Sequence, residues 1–321
     1  MANPAGLAGV RFLTSHAVHE DSFTSVDLAS RRWKDFCRQS NIHFFGEPTG
    51  KVSPVHIAGF VSFLFGIKTV RAWSTYRGML SGLKFYLSIN NVDVSAFNSY
   101  LVQKTKQGLR KAIGKFDLGP PVKETGSCTF ELLMKILPFF SNDSIAARNA
   151  RRVAIICLAG VNRLGELIAT RHNSGICLLR KHITVISVSL YRVFLRFSKN
   201  DTWHEGKEFD LQANGTVLCP IRAINECMIE CHSGRRRGSH TFFVGDSDEP
   251  LTDKQVMHHL HGALRRANID PSPFTTKTFR RGGATSLAEF GADRAVIMAA
   301  GRWKSKCYKI YIDKSLVGQY L

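Results

Sequence analysis

The sequence predicts a mainly α-helical protein with a small antiparallel β-sheet, divided into a helical N-terminal domain and a larger, mostly helical C-terminal domain. Three observations carry that prediction. Apolar residues recur every three or four positions through much of residues 24–112, as in helices with one buried face. The stretch GKFDLGPPVKETGS is rich in Gly and Pro and has no apolar period, which marks a linker. Beyond it, HITVISVSL, YRVFLRFSK and KEFDLQA are β-rich runs between turn-like segments, which read as a short antiparallel sheet among helices.

Residues 1–22 are small and polar and read as a flexible arm. The domain at 23–115 then holds four helices. From Thr24 onward, Val26, Ala29, Trp33 and Phe36 make one apolar face. The run SPVHIAGFVSFLF places a proline in the first helical turn, where its missing N–H is harmless. Residues 69–88 put Trp73, Tyr76, Leu80, Leu83 and Leu87 on one side, and residues 97–112 make a fourth helix with the basic ending KTKQGLRKAIGK. The linker occupies 116–125. The second domain, 126–321, opens with helices at 129–140 and 144–171, passes through the sheet, and returns to helices from Pro220.

Composition narrows the function. A chain of 321 residues with 44% hydrophobic content suits about two domains. Lys and Arg total 44 against 25 Asp and Glu, a formal charge of +19, which favours a polyanion partner because binding releases the counterions of phosphates. The opening MANPAGLAGVRF lacks the pattern of a secretory signal. No apolar run approaches the roughly 18 residues needed to cross a bilayer, so a membrane partner is not expected. The eight cysteines are scattered through apolar segments and read as buried free thiols of a reducing compartment. Cys227, Cys231 and His232 form the only tight group, but they sit in an amphipathic helical stretch with no second cysteine pair nearby, so no metal is expected there.

Four polar groupings carry possible chemistry. In CLAGVNRLGELIATR, Arg163 and Glu166 lie in an apolar helical run, where charge is costly unless the two pair with each other or a ligand binds them. Lys199 in FLRFSKND precedes a turn and could reach into a groove or simply be solvated. Lys277, Arg280 and Arg281 in TTKTFRRGGATSLAEFGA precede the small residues that open a helix, where backbone donors favour an anion. In AAGRWKSKCYKIYIDKS a Gly turn leads to Trp303, and Tyr308 and Tyr311 follow on a short helical stretch.

Taken in this order, the groupings resemble the catalytic domain of the tyrosine recombinases, or phage-integrase family. The family pattern of Arg-x-x-Glu-Leu, hairpin Lys, His-x-x-Arg, Gly-(His or Trp) and Tyr falls on Arg163 with Glu166 and Leu167, Lys199, Lys277 to Arg280, Gly301 to Trp303, and Tyr311. LCPIRAI, PLT, FRRGGATSLAEFGA and GRWKSKCYKIYI are similar to recombinases of eukaryotic Crypton and DIRS mobile elements. The resemblance covers 125–321; the N-terminal helices resemble the family's core-binding domain only in size and number. Two departures stand out. Lys277 replaces the usual histidine, and Tyr311 follows Trp303 by eight positions, one fewer than in many bacterial and phage members.

The resemblance implies a DNA strand-cleaving and rejoining enzyme that needs no metal or nucleotide cofactor. Tyr311 would attack the phosphate and conserve the bond as a phosphotyrosine. Arg163 and Arg280 would clamp the charge that builds on the non-bridging oxygens, and Lys199 would protonate the leaving 5′ oxygen. Trp303 would steady a phosphate oxygen or pack the tyrosine segment, Glu166 would hold Arg163, and Lys277 would add charge to the pocket. Tyr308 is the rival nucleophile. Double-stranded DNA with specific sites is the implied partner, bound by a homo-tetramer, with action in the nucleus if the host is eukaryotic. A type IB topoisomerase, or a DNA-binding descendant that no longer cuts, remains an alternative.

Overall fold

A computed structural model of the chain describes residues 20–45, 51–67, 72–116, 125–169, 177–196, 205–232 and 240–317. It has the mainly helical architecture with a small antiparallel sheet that the sequence predicts, and the chain separates into two compact units, Met1–Val122 and Lys123–Leu321. Lys199 and nearly all of the expected arm and linker lie outside the described residues.

The first unit holds α1 (Glu20–Ser40), α2 (Pro54–Gly66), α3 (Trp73–Ile89) and α4 (Tyr100–Lys115). The first helix begins at Glu20 rather than Thr24, so the expected arm is shorter by at least three residues. Ser53 and Ser99 cap α2 and α4 by accepting the backbone N–H groups of His56 and Val102 at 3.2 and 3.3 Å, which satisfies donors that a helix start leaves free. Ala29, Trp33, Phe36 and Cys37 of α1 are buried against Tyr76, Leu80, Leu83 and Leu87 of α3 and the apolar side of α2. Trp33 stacks edge-on against Phe60 with ring centres 5.3 Å apart, and its Nε1 donates to the Phe44 carbonyl at 2.7 Å. An indole buried in this way retains its polar bond while adding a large apolar area.

In the second unit, α5 (Phe130–Ile136) leads through a 3₁₀ turn at Pro138 to α6 (Ile145–Ala159). The three strands β1 (Ile183–Ser187), β2 (Leu190–Leu195) and β3 (Lys207–Gln212) pair antiparallel in that order. Along β2, Tyr191, Val193 and Leu195 are buried, as expected when one face of a strand covers a core. Then follow α8 (Pro220–His232), α9 (Asp253–Arg266), α10 (Thr278–Glu289), α11 (Arg294–Ala300), a 3₁₀ segment at Lys306–Tyr311 and α12 (Lys314–Val317); the one-turn α7 (Leu164–Leu167) precedes the sheet. Residues of α6, α8, α9 and the sheet share the main core, while Val161, Ala284, Ile297, Trp303 and Tyr308 belong to a smaller one.

One expected helix is not continuous. Residues 144–171 split after Ala159: Val161 enters the left-handed region at φ 48°, and helical geometry returns only for Leu164–Leu167. A β-branched residue avoids that conformation unless its surroundings impose it. The helix closes locally, with the Val161 and Asn162 N–H groups donating back to the Leu158 and Cys157 carbonyls at 3.2 and 2.9 Å, and the Val161 carbonyl left free accepts from the Arg280 guanidinium at 2.8 Å. Arg163 therefore precedes a one-turn helix instead of lying inside a long one.

Helix α10 is pressed against its neighbours through a pair of glycines. A Cβ at Gly282 would lie 1.7 Å from the Cys128 carbonyl oxygen, and one at Gly283 would lie 2.6 Å from that of Leu158. This close approach brings Arg280 beneath the turn that follows α6.

The cysteines are mostly buried, as expected, with Cys37 and Cys128 pushed up to about 12 by burial. Cys307 departs from that expectation and is exposed. Cys227 is buried and points its thiol at the Phe242 carbonyl at 3.5 Å, while the side chains of Cys231 and His232 lie outside the described residues.

Candidate active site

Glu166 is the hub of the arginine cluster. Its side chain is 4% exposed, one oxygen accepts from Arg163 Nη1 at 2.9 Å, and the other accepts the Arg163 backbone N–H at 2.9 Å. That second oxygen also lies 3.2 Å from Arg302 Nη2 and 3.8 Å from Arg280 Nη1. A buried carboxylate is tolerable here because cations and a backbone donor replace its water.

Arg280 rises from the second residue pair of α10, and its side chain is 3% exposed. Its two terminal nitrogens donate to the Val161 and Gly301 carbonyls at 2.8 and 2.5 Å. Burial pulls the guanidinium down to about 10, with Glu166 working in the opposite direction, so it stays charged at neutral pH. A guanidinium has five N–H donors, and Arg280 Nε is buried with no hydrogen-bond partner among the described residues.

Two aromatic rings face this cation. The Arg280 guanidinium carbon is 4.5 Å from the centre of the Trp303 ring and 5.4 Å from that of Tyr311. Trp303 and Tyr311 lie 5.2 Å apart, centre to centre, with their planes tilted by 39°. Trp303 is 7% exposed, and its Nε1 is a second buried donor without a partner among the described residues. Gly301 makes the approach possible, since a Cβ there would fall 1.9 Å from the Trp303 ring.

The two tyrosines differ in setting. Tyr308 is 2% exposed and packs in the smaller core, whereas Tyr311 is only partly buried. The Tyr311 segment is tied to α10 at three points. Arg281 Nη1 donates to the Ile310 carbonyl at 2.8 Å, Thr285 Oγ1 donates to the Tyr311 carbonyl at 3.5 Å, and the Asp313 N–H donates to Thr285 Oγ1 at 3.0 Å.

Of the residues expected at a site, the structure thus gathers Arg163, Glu166, Arg280, Trp303 and Tyr311. Lys277 is exposed, one residue ahead of α10, and Lys199 lies outside the described residues. Arg302 is an addition that sequence reasoning passed over. It donates to the Gly160 and Ala300 carbonyls, to Asn162 Oδ1 and to Glu166, and its guanidinium carbon lies 5.0 Å from the Phe209 ring centre. Burial lowers its pKa, opposed by Glu166.

The model of the Phage integrase family matches residues 129–315, more than half of the chain and all five of the residues gathered above. The chain belongs to the phage integrase family. A curated relative, an integrase/recombinase XerD homolog of Selenomonas ruminantium, is 22% identical over 218 residues; the match spans 67% of this chain and 60% of that protein's length. Among solved structures, a lambda integrase dimer bound to a COC′ core site has a TM-score of 0.58 at 12% identity, covering 96% of this chain and 93% of that one. XerH site-specific recombinase bound to difH substrate in a pre-cleavage complex has a TM-score of 0.53 at 18% identity, covering 88% and 73%. These likenesses establish an integrase fold. No helix among the described residues is long and apolar enough to cross a membrane.

Proposed function

We propose that this protein is a site-specific tyrosine recombinase that cleaves and rejoins double-stranded DNA through a 3′-phosphotyrosine at Tyr311. The carrying observation is the Arg280 guanidinium set against both Trp303 and the partly exposed Tyr311, with Arg163 joined to it through Glu166. Three guanidiniums (Arg163, Arg280 and Arg302) around one carboxylate leave a surplus of two positive charges, and the donors Arg280 Nε and Trp303 Nε1 also lack acceptors among the described residues. A bound phosphate would supply both the charge and the acceptors.

In this reading Tyr311 attacks the scissile phosphorus and the 5′ oxygen leaves. Arg163 and Arg280 stabilise the charge that develops on the non-bridging oxygens, Arg280 from a position already shielded from water. Lys199 is assigned the proton for the leaving oxygen, and Lys277 adds positive charge near the phosphate. Glu166 orients Arg163, and no metal or nucleotide takes part because the phosphotyrosine stores the bond energy. The helical unit before the linker is assigned the role of a core-binding domain that grips the DNA, supported by the net charge of +19. Exchange between two duplexes needs two cleaved sites held together, and the resemblance implies four protomers, so the assembly on DNA is assigned as a homo-tetramer. The similarity of FRRGGATSLAEFGA and GRWKSKCYKIYI to Crypton and DIRS recombinases points to integration or excision of a eukaryotic mobile element, acting in the nucleus.

A nicked suicide substrate tests the chemistry. The parent should form a covalent protein–DNA adduct in excess EDTA without ATP, and Tyr311→Phe should bind the same DNA without forming it. A parent that binds but never forms the adduct would leave a DNA-binding descendant as the answer. Relaxation of supercoiled DNA without any joined product from two duplexes would instead indicate a topoisomerase.

A further inference from the structure

Arg302 stands in the left-handed region at φ 56°, where a residue with a Cβ is strained. Its side chain is 11% exposed, yet it is not spent on a single partner. Nη1 donates to the Gly160 carbonyl at 3.0 Å and the Ala300 carbonyl at 3.2 Å; Nη2 donates to Asn162 Oδ1 at 2.6 Å and Glu166 at 3.2 Å. One guanidinium therefore staples the turn after α6 to the turn after α11. Arg280 joins the same two turns from α10, through the interleaved carbonyls of Val161 and Gly301. The planar fork of an arginine suits such multiple, directed contacts, and a lysine could satisfy only some of them.

We propose that Arg302 is a positioning residue for phosphoryl transfer. It holds Glu166 and the Gly301–Trp303 turn so that Arg163 and Arg280 present their free donors to one phosphate. The inference rests on the recombinase reading above. Its physical basis is the sharing of one Glu166 oxygen. That oxygen serves Arg302 at 3.2 Å and lies 3.8 Å from Arg280. Without Arg302 the carboxylate is drawn to Arg280, competing with the two carbonyls that set the direction of its guanidinium. The same loss frees the Gly301–Trp303 turn, whose indole forms one wall beside Tyr311. Arg302 itself is consumed by protein acceptors and does not contact the DNA. Its effect should therefore fall on the rate of the chemical step and not on DNA affinity.

Arg302→Gly and Arg302→Lys separate these outcomes. Glycine adopts the positive φ without strain, which removes the guanidinium while easing the backbone. Single-turnover cleavage of the suicide substrate by Arg302→Gly should slow by about 100-fold, the scale expected when catalytic groups are misplaced by about an ångström. DNA affinity should stay within about twofold, and Arg302→Lys should recover part of the rate, because it restores the charge but not the fork. Guanidinium chloride at tens of millimolar, replacing sodium chloride at constant ionic strength, should restore cleavage in Arg302→Gly while leaving the parent unchanged. An Arg302→Gly protein that cleaves within about threefold of the parent overturns the inference. So does one whose rate and affinity fall together and are not rescued, which would mark a purely structural residue. If Arg302→Gly fails to fold, an Arg302→Lys protein with parental cleavage and affinity overturns it equally. A parent that forms no adduct at all overturns the recombinase reading instead, so the two failures are distinguishable.

Discussion

Arg280 and Trp303 meet face to face, with the guanidinium carbon 4.5 Å from the indole ring centre and both side chains almost wholly buried. A desolvated contact of this type is worth up to about 2 kcal/mol, in addition to the area it buries. The indole thus acts as a wall beside a cation, and its N–H, without a partner among the described residues, is a separate feature that substitution can isolate.

Trp303→Ala should therefore destabilise the second unit by about 3–5 kcal/mol, as deletion of a large buried side chain does. Trp303→Phe should keep most of the wall but lose the N–H, so that stability falls by a smaller amount while the cleavage rate still drops. Urea denaturation beside single-turnover kinetics checks both. Equal cleavage by Trp303→Phe and the parent would show that the N–H has no part in the reaction.

Tyr308 and Tyr311 should part company on substitution. Tyr308 is 2% exposed within the smaller core, so its hydroxyl is poorly placed to reach a phosphate. Tyr308→Phe should retain the covalent adduct, with a change in stability of about 1 kcal/mol or less. Mapping the DNA-linked peptide by mass spectrometry gives the answer directly, and a linkage on Tyr308 would reverse the assignment.

Lys277 is exposed, and its substitution should barely affect folding. Lys277→Ala should lose about 1–3 kcal/mol of transition-state stabilisation, the usual cost of one charge-assisted donor. Lys277→His should keep substantial activity. Parental cleavage rates in Lys277→Ala would show that this side chain faces away from the phosphate.

Acid should loosen the seam between α6 and α8. Burial of Glu230 favours its neutral form, but Arg148 and Arg152 outweigh burial, and the carboxyl lies below its ordinary value. A depressed carboxyl contributes stability that is present above its unfolded pKa of about 4.3 and is lost as pH falls toward the folded value. Glu230→Gln should lower stability at neutral pH and flatten its fall below about pH 4.5. Denaturation midpoints measured from pH 7 to pH 3 would show this, and parallel curves for the two proteins would refute it.

Gly282→Ala tests the close approach of α10. The added methyl would overlap the Cys128 carbonyl, so the helix must shift, at a cost of about 1–3 kcal/mol or more. Because the shift moves Arg280, cleavage should fall further than stability alone explains at a temperature where the variant is folded. Parental stability in Gly282→Ala would mean that the helix and the 126–129 segment are less tightly packed than described.

Local patterns made much of this molecule legible in the sequence. Ala29, Trp33 and Phe36, or Tyr76, Leu80 and Leu83, repeat at the helical period because each helix buries one face, and nothing remote is needed to see it. The alternation through Leu190–Leu195 is equally local. The break at Gly160–Val161 was not legible. Apolar residues continue through LAGVNRLGEL, and the left-handed position that closes the helix falls on Val161, a residue type that does not announce it. Arg302 was missed for a similar reason: in GRWKSK it stands among lysines and reads as solvated surface, yet the fold surrounds it with five acceptor groups and rings drawn from residues 160–166, 209 and 300. The order of the motif residues was visible, whereas the contacts between them depend on long-range packing.

The bonds from Arg280 to Val161 and Gly301 reach 119 residues back and 21 residues forward along the chain. Contacts of such different range are not completed together during synthesis: the partner at 161 is made long before the arginine, and the partner at 301 only after it. A nascent chain therefore carries its DNA-attracting charge from the first helices onward but has no clamp until the turn after α11 is in place. If the proposed recombinase reading holds, affinity for DNA would precede the ability to cut it, and an interrupted polypeptide would bind DNA without breaking it.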